Sequence, residues 1–237
     1  MIADRGAPEG TVVVAEAQLK GKGRRGRSWF SPAGEGIYVS VILRPRVPPS
    51  EAPQLVLMAA VAAAEALLAQ AAIPVSVKWP NDILVGGKKI AGILTEMRLA
   101  GDRIDHVVIG MGVNVNTPAE GLPREIAAIA TSLCAVTGRT FPRTGLLRAY
   151  LEKLEGWYTL FQERRFEPIR ERWLEIARII GKQVKIAGVD RTYEGEVVDI
   201  DPTGFLLLKS ADGGIQRILA GDVSMIGTPP PPTDGFR

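Results

Sequence analysis

A strand, a loop of glycines and arginines, and a second strand follow one another between Thr11 and Leu43, and that order constrains the fold more than any other stretch. The loop, Gln18 to Trp29, reads QLKGKGRRGRSW: Gly21, Gly23 and Gly26 alternate with Lys20, Lys22, Arg24, Arg25 and Arg27. Backbone amides beside glycine approach an anion closely and guanidinium forks surround its oxygens, so the stretch reads as a phosphate loop. Taken alone it reads equally well as a solvated arginine turn or a nucleic-acid patch. The spacing Gly21-x-Gly23-x-x-Gly26 matches the dinucleotide fingerprint, which needs a preceding strand, a helix opening at the loop and an acidic residue about 20 positions on. Thr11–Gln18 (TVVVAEAQ) supplies the strand, but SWFSPAGEG and then IYVSVIL follow, a turn and another strand. That order excludes the doubly wound dinucleotide fold, and without GxxxxGK[ST] the loop is not of the Walker type either.

The rest of the chain extends this antiparallel pattern. Thr11–Gln18 opens on an unbroken apolar run, which predicts a strand covered on both faces. Ile37–Leu43 is the next strand, ended by the prolines of RPRVPPS, and Ser50 is placed to cap a helix over Glu51–Ala71. That alanine-rich stretch is interrupted by Glu65 and Gln70, so it reads as a buried helix and not a membrane span. VSVKWPNDILVGGKKIAGILTEMR then gives a strand, a Trp-Pro break and a hairpin turning at Gly86-Gly87. A further turn leads into Ile104–Val115, which ends in GMGVNVN, and residues 116–130 read as a mobile flap. Helices are expected over Ala127–Val136, Arg143–Glu163 and Glu167–Ile179. From Gly181 the period changes to short strands separated by Gly, Asp and Pro turns, the pattern of a small barrel. The prediction is an α+β chain: residues 1–180 as one binding domain, 181–227 as the barrel, and 228–237 as an extended proline-rich tail.

Composition narrows the chemistry. At 237 residues, with 46% hydrophobic and 23% charged residues, the chain can bury an ample core. A net charge of +3 makes a polybasic nucleic-acid coat a poor fit, because the cations cluster in one loop. The single cysteine, Cys134, excludes an internal disulfide and a cysteine metal cluster, suits a reducing cytosol, and reads as a buried structural thiol. A lone histidine, His106, leaves zinc chemistry and a Ser-His-Asp triad without their parts, and no metal-ligating residues are assigned. MIADRGAPEG has neither the basic start nor the apolar core of a secretory signal, so a cytoplasmic protein is expected.

Three segments in order, GKGRRGRSWFSPAGEGIYVSVILRP, KWPNDILVGGKKIAGILTE and VIGMGVNVN, followed by the small C-terminal barrel, resemble the biotin protein ligases. The resemblance implies a catalytic domain related in fold to class II aminoacyl-tRNA synthetases, with an SH3-like barrel behind it. It implies a two-step reaction: biotin and ATP with Mg²⁺ give biotinyl-5′-adenylate and pyrophosphate, and one lysine of a biotin carboxyl carrier protein then takes the biotinyl group. By the same resemblance, Lys89 lies between the biotin carboxylate and the α-phosphate, and Gln18 with the loop backbone reaches the ureido ring. Arg24 and the surrounding Gly21, Lys22, Gly23, Arg25, Gly26 and Arg27 fold over the intermediate. Trp29 lines the nucleotide pocket, Gly92 belongs to the KKIAG part of the ligand site, and Asn114 contacts adenine or phosphate. Asp82 orients or deprotonates the acceptor lysine, with Lys78 assisting. These residue types suit the chemistry, because two anions must meet and fixed cations neutralise them.

The sequence departs from the family in two places. A Ser-Thr-Asn element and a helix usually precede the first strand and are not in this sequence, and Lys22 stands where arginine is commoner, so a fork becomes a point charge. The sequence also has no room for the winged helix of ligases that double as repressors, so DNA binding is not expected, and neither is a membrane partner. A free sheet edge would allow a homodimer. The rival readings are a lipoate ligase of the same fold and a non-catalytic module that binds a ligand or nucleic acid.

Overall fold

A computed structural model describes residues 2–164, 166–188 and 191–226. Six strands form one antiparallel sheet: β1 (Val12–Ala15), β2 (Gly36–Leu43), β3 (Ser76–Lys78), β4 (Asp82–Val85), β5 (Lys88–Ala100) and β6 (Arg103–Asn114), in the order β1-β2-β6-β5-β4-β3. Gly86 and Gly87 adopt φ of +57° and +80°, which is the conformation that a two-residue hairpin between β4 and β5 demands.

The two faces of the sheet differ because side chains alternate along each strand. Ala91, Ile93, Ile109, Met111 and Val113 are buried on one face with helix α1 (Ala52–Ala71), whose alanines allow a close approach. α1 is long and apolar enough to cross a membrane, yet it packs here against β3, β4 and β5 and under α4 (Arg143–Arg164) and α5 (Glu167–Ala177). The opposite face presents Gly92, Gly110 and Gly112, and this bare floor is where the site forms.

The structure corrects several expectations. β1 is shorter than expected and forms an edge, pairing only with β2, and Val12, Val13 and Val14 are exposed. An apolar run does not say how many neighbours a strand has. Ser50 does not cap α1: it sits in a one-turn 3₁₀ helix, Pro49–Glu51, and the α1 N-cap is Glu51 without a side-chain bond. The helix expected over Ala127–Val136 is two short ones, α2 (Arg124–Ala127) and α3 (Leu133–Thr137). Between them the chain turns at 128–129 and then bridges to Lys89 at Ala130, so this part of the expected flap is tied to the sheet. Cys134, expected to be buried, is partly exposed on α3.

Past α5, β7 (Gln183–Ala187), β8 (Thr192–Ile200), β9 (Leu206–Lys209), β10 (Ile215–Ile218) and β11 (Asp222–Met225) form an antiparallel sheet in the order β10-β9-β8-β7-β11. Among the described residues no ladder closes β10 onto β11 to complete a barrel. The expected proline-rich tail lies outside the described residues.

Candidate active site

The cavity sits over the glycine floor, between the large sheet and the Gln18–Trp29 loop, and has a volume of about 360 Å³. One wall is built from Asn81, Asp82, Lys89 and Gly92. Asp82 pairs with Gly92 and Ile83 with Ala91, but Leu84 pairs with Lys89, a register shift that makes Ile90 an extra residue. Without this bulge Lys89 would alternate onto the face of Ala91, in the core; with it, Lys89 shares the cavity face with Asp82 and Gly92. Its ammonium then lies 2.6 Å from Asp82 Oδ1 and 5.1 Å from the centre of the Trp29 ring. Lys78 stands 3.5 Å from the other oxygen of the same carboxylate, so Asp82 is held between two lysines.

Trp29 lies flat on the floor. A Cβ at Gly112 would be 2.4 Å from its indole nitrogen, and one at Gly92 would be 2.8 Å from Lys89 Cε and 3.1 Å from the indole ring. Glycine at both paired positions therefore makes the room that Trp29 and Lys89 occupy.

The opposite wall is the basic loop, which folds back on itself: Trp29 N donates to Gly21 O at 2.8 Å, Gly23 N donates to Arg27 O at 2.6 Å, and Lys22 faces Ser28. The Ser31 hydroxyl donates to Gln18 Oε1 at 2.9 Å and fixes that amide at the cavity edge. Arg24 turns inward and donates to Asn81 Oδ1 at 2.8 Å, and Asn81 in turn donates to Ile93 O at 2.6 Å. Burial pushes the Arg24 guanidinium down from its ordinary value while Asp222 and Asp82 push it up; arginine stays charged throughout. Arg25, a non-glycine residue at φ 57°, donates to the carbonyls of Ala187 and Gly188 at 3.0 and 2.8 Å. Arg27 pairs with Asp222. The loop is thus latched by its arginines to β7 and β11 of the small sheet.

The cavity brings together Gln18, Lys22, Gly23, Arg24, Arg27, Trp29, Asp82, Lys89 and Gly92. Gly21, Arg25, Gly26, Lys78 and Asn114 do not line it. Gly21 and Gly26 shape the loop, Arg25 faces the small sheet, Lys78 pairs with Asp82 from outside the lining, and Asn114 donates its side-chain amide to Thr131 O at 2.9 Å. Sequence reasoning did not single out Gly112 or Asp222 as site residues. Gly110 and Gly112 share one strand face, a pattern that signals a floor without side chains, whereas Asp222 lies 195 positions from Arg27 and left no local signal.

Known proteins resemble this chain over nearly its whole length. Residues 2–114 match the biotin/lipoate A/B protein ligase family and residues 179–225 match the biotin protein ligase C-terminal domain. The chain is 42% identical over 224 residues to the bifunctional ligase/repressor BirA of Bacillus spizizenii, covering 94% of this chain and 69% of that protein. It is 33% identical over 214 residues to the biotin--[acetyl-CoA-carboxylase] ligase of Paracoccus denitrificans, covering 89% of this chain and 88% of that one. The biotin protein ligase of Aquifex aeolicus, solved in complex with biotin and ATP, superposes with a TM-score of 0.80 at 33% identity, covering 94% and 91% of the two chains. The bare floor, the lysine turned onto it by a bulge and the arginine loop above it are therefore those of a chain that belongs to the biotin protein ligases.

Proposed function

We propose that this chain joins biotin to ATP as biotinyl-5′-adenylate and passes the biotinyl group to one lysine of a biotin carboxyl carrier protein. A carboxylate oxygen of biotin attacks the α-phosphorus; a C–O–P anhydride forms, the α–β phosphoanhydride bond breaks, and pyrophosphate leaves with the electron pair. The ε-amine of the acceptor, once deprotonated, then attacks the biotinyl carbonyl and AMP leaves.

The observation that carries this reading is Lys89, an ammonium on the cavity floor facing Arg24, Arg27 and Lys22 across the cavity mouth. Carboxylate and α-phosphate repel each other, and a fixed cation between them lowers the cost of their approach. Gln18 and the loop backbone take the ureido ring, the loop cations take phosphate oxygens, and the loop closes water out from the mixed anhydride. Asp82, held by Lys78 when Lys89 turns to the ligands, orients the incoming acceptor amine and accepts its proton. Among the described residues no group of three or more His, Cys, Asp or Glu side chains gathers into a metal cage. The magnesium that accompanies ATP would be held chiefly by phosphate oxygens and water, where it offsets phosphate charge. The acceptor assigned is the carrier protein of acetyl-CoA carboxylase or a related carboxylase, in a reducing cytosol.

Biotin-dependent exchange of pyrophosphate into ATP tests the proposal, with lipoate run beside biotin. Exchange with biotin and not with lipoate is expected; exchange with lipoate alone, or with neither, would overturn it.

A further inference from the structure

We infer that Trp79 is a positioning residue: through it the turn between β8 and β9 of the small sheet sets Asn81 and Asp82 at the cavity wall. This rests on the role of Asp82 given above. β3 ends at Lys78 and β4 begins at Asp82, so residues 79–81 form the connection between them and side-chain bonds have to fix it. Asn81 is held on the sheet side, where its amide nitrogen donates to Ile93 O at 2.6 Å and its Oδ1 accepts from Arg24 at 2.8 Å. Trp79, 2% exposed and outside the cavity lining, is held on the other side: its indole Nε1 donates to Gly204 O at 3.4 Å. A shift of the indole would pass through Pro80 and Asn81 to the carboxylate of Asp82.

The turn that receives the indole is itself firmly built. Asp201 accepts from Thr203 N at 2.8 Å, Thr203 Oγ1 at 2.7 Å and Phe205 N at 3.0 Å, and it pairs with Arg217. Gln54 of α1, 3% exposed, donates to Pro202 O at 2.9 Å, and Arg170 of α5 donates to Ile200 O at 2.6 Å. Gly204 takes φ of +91°, and a Cβ there would lie 3.4 Å from Leu57 Cδ1 and 3.5 Å from Gln54 N, so the turn sits directly on α1. The small sheet thus reaches both walls of the cavity: β7 and β11 meet the arginines of the loop, and the β8–β9 turn braces the run that carries Asp82. Lys89 keeps its own backbone bonds to Ile129 and Thr131, so Trp79 bears on the transfer step and not on adenylate formation.

The test uses the full chain and reads the two steps apart, as biotin-dependent pyrophosphate exchange and as single-turnover transfer of the biotinyl group from the enzyme-held adenylate to the carrier protein. Trp79→Phe, which keeps a buried ring and loses the N–H, is expected to slow transfer about tenfold and to leave exchange within about twofold of the parent. Gln54→Met, which frees the turn from α1 with Trp79 intact, should repeat the pattern with a smaller loss. A lysine amine titrates at about 10.4, so between about pH 7 and about pH 9 it sheds its proton increasingly without help, and the transfer deficit should shrink severalfold. In an Asp82→Asn background Trp79→Phe should cost less than about twofold. Equal losses in both steps, a deficit that pH leaves unchanged, or losses that multiply in the double variant would overturn the inference. Should the parent chain carry out neither step, the functional reading falls, and hydrogen exchange at the Ile93 amide, which donates to Asn81 O at 3.0 Å, still decides the brace. Faster exchange there in Trp79→Phe upholds it, and unchanged protection overturns it.

Discussion

The two walls of the cavity are held in place in different ways. Lys89 is fixed by backbone bonds to Ile129 and Thr131 and by its pairing with β4, so its position belongs to the sheet. The Gln18–Trp29 loop touches the rest of the molecule largely through the ends of long side chains, Arg24 on Asn81, Arg25 on Ala187 and Gly188, and Arg27 on Asp222. Backbone ladders are cooperative and costly to open, whereas partly exposed ion pairs contribute little and exchange readily. The contrast suits the proposed roles: a cation that is to lie between two anions has to be in place beforehand, while a cover has to open for substrates and close over the adenylate.

Substitutions on the two walls should therefore fail differently. The largest effect is expected for Lys89→Ala, at least ~100-fold on biotin-dependent pyrophosphate exchange, because the two anions then meet uncompensated. Near-normal exchange would remove Lys89 from its role. Gly112→Ala comes next: its methyl would stand 2.4 Å from the Trp29 nitrogen and push the ring off the floor. Biotin affinity should fall about tenfold, with a shift in tryptophan fluorescence; if neither moves, Trp29 is not seated by that glycine. Arg24→Gly should leave exchange within severalfold of the parent and release adenylate, so that lysines of bystander proteins become labelled. Strict selectivity for the acceptor would refute the cover. Asp222→Asn is the smallest: a stability change of about 0.5 kcal/mol by urea titration, together with faster tryptic cutting between Lys20 and Arg27. A cutting rate equal to that of the parent would mean that the small sheet does not latch the loop.

The sequence carried one wall better than the other. Lys89, Asp82 and Gly92 are close together in the chain, in the KWPND and KKIAG segments whose resemblance to the family singled them out, and the Gly86-Gly87 hairpin brings them face to face. The bulge was hidden: alternation along KKIAG gives no hint that Ile90 is an extra residue. The loop was conspicuous as a motif, but the partners of Arg25 and Arg27, at Ala187, Gly188 and Asp222, lie far along the chain, where no spacing rule reaches. Asn114 donates its side-chain amide to Thr131 O, a bond across 17 positions that no spacing in the sequence announces. β1 was misjudged because three consecutive valines read as buried, although an edge strand leaves them exposed.

Amide hydrogen exchange across both walls, with and without biotin and ATP, tests the contrast most directly. Amides of residues 21–27 should exchange quickly in the free chain and become protected when both substrates bind, while those of Lys89, Ala91 and Thr131 should be protected throughout. Rapid exchange at Lys89 and Thr131 in the free chain, slowed only by ligands, would contradict a wall set in advance.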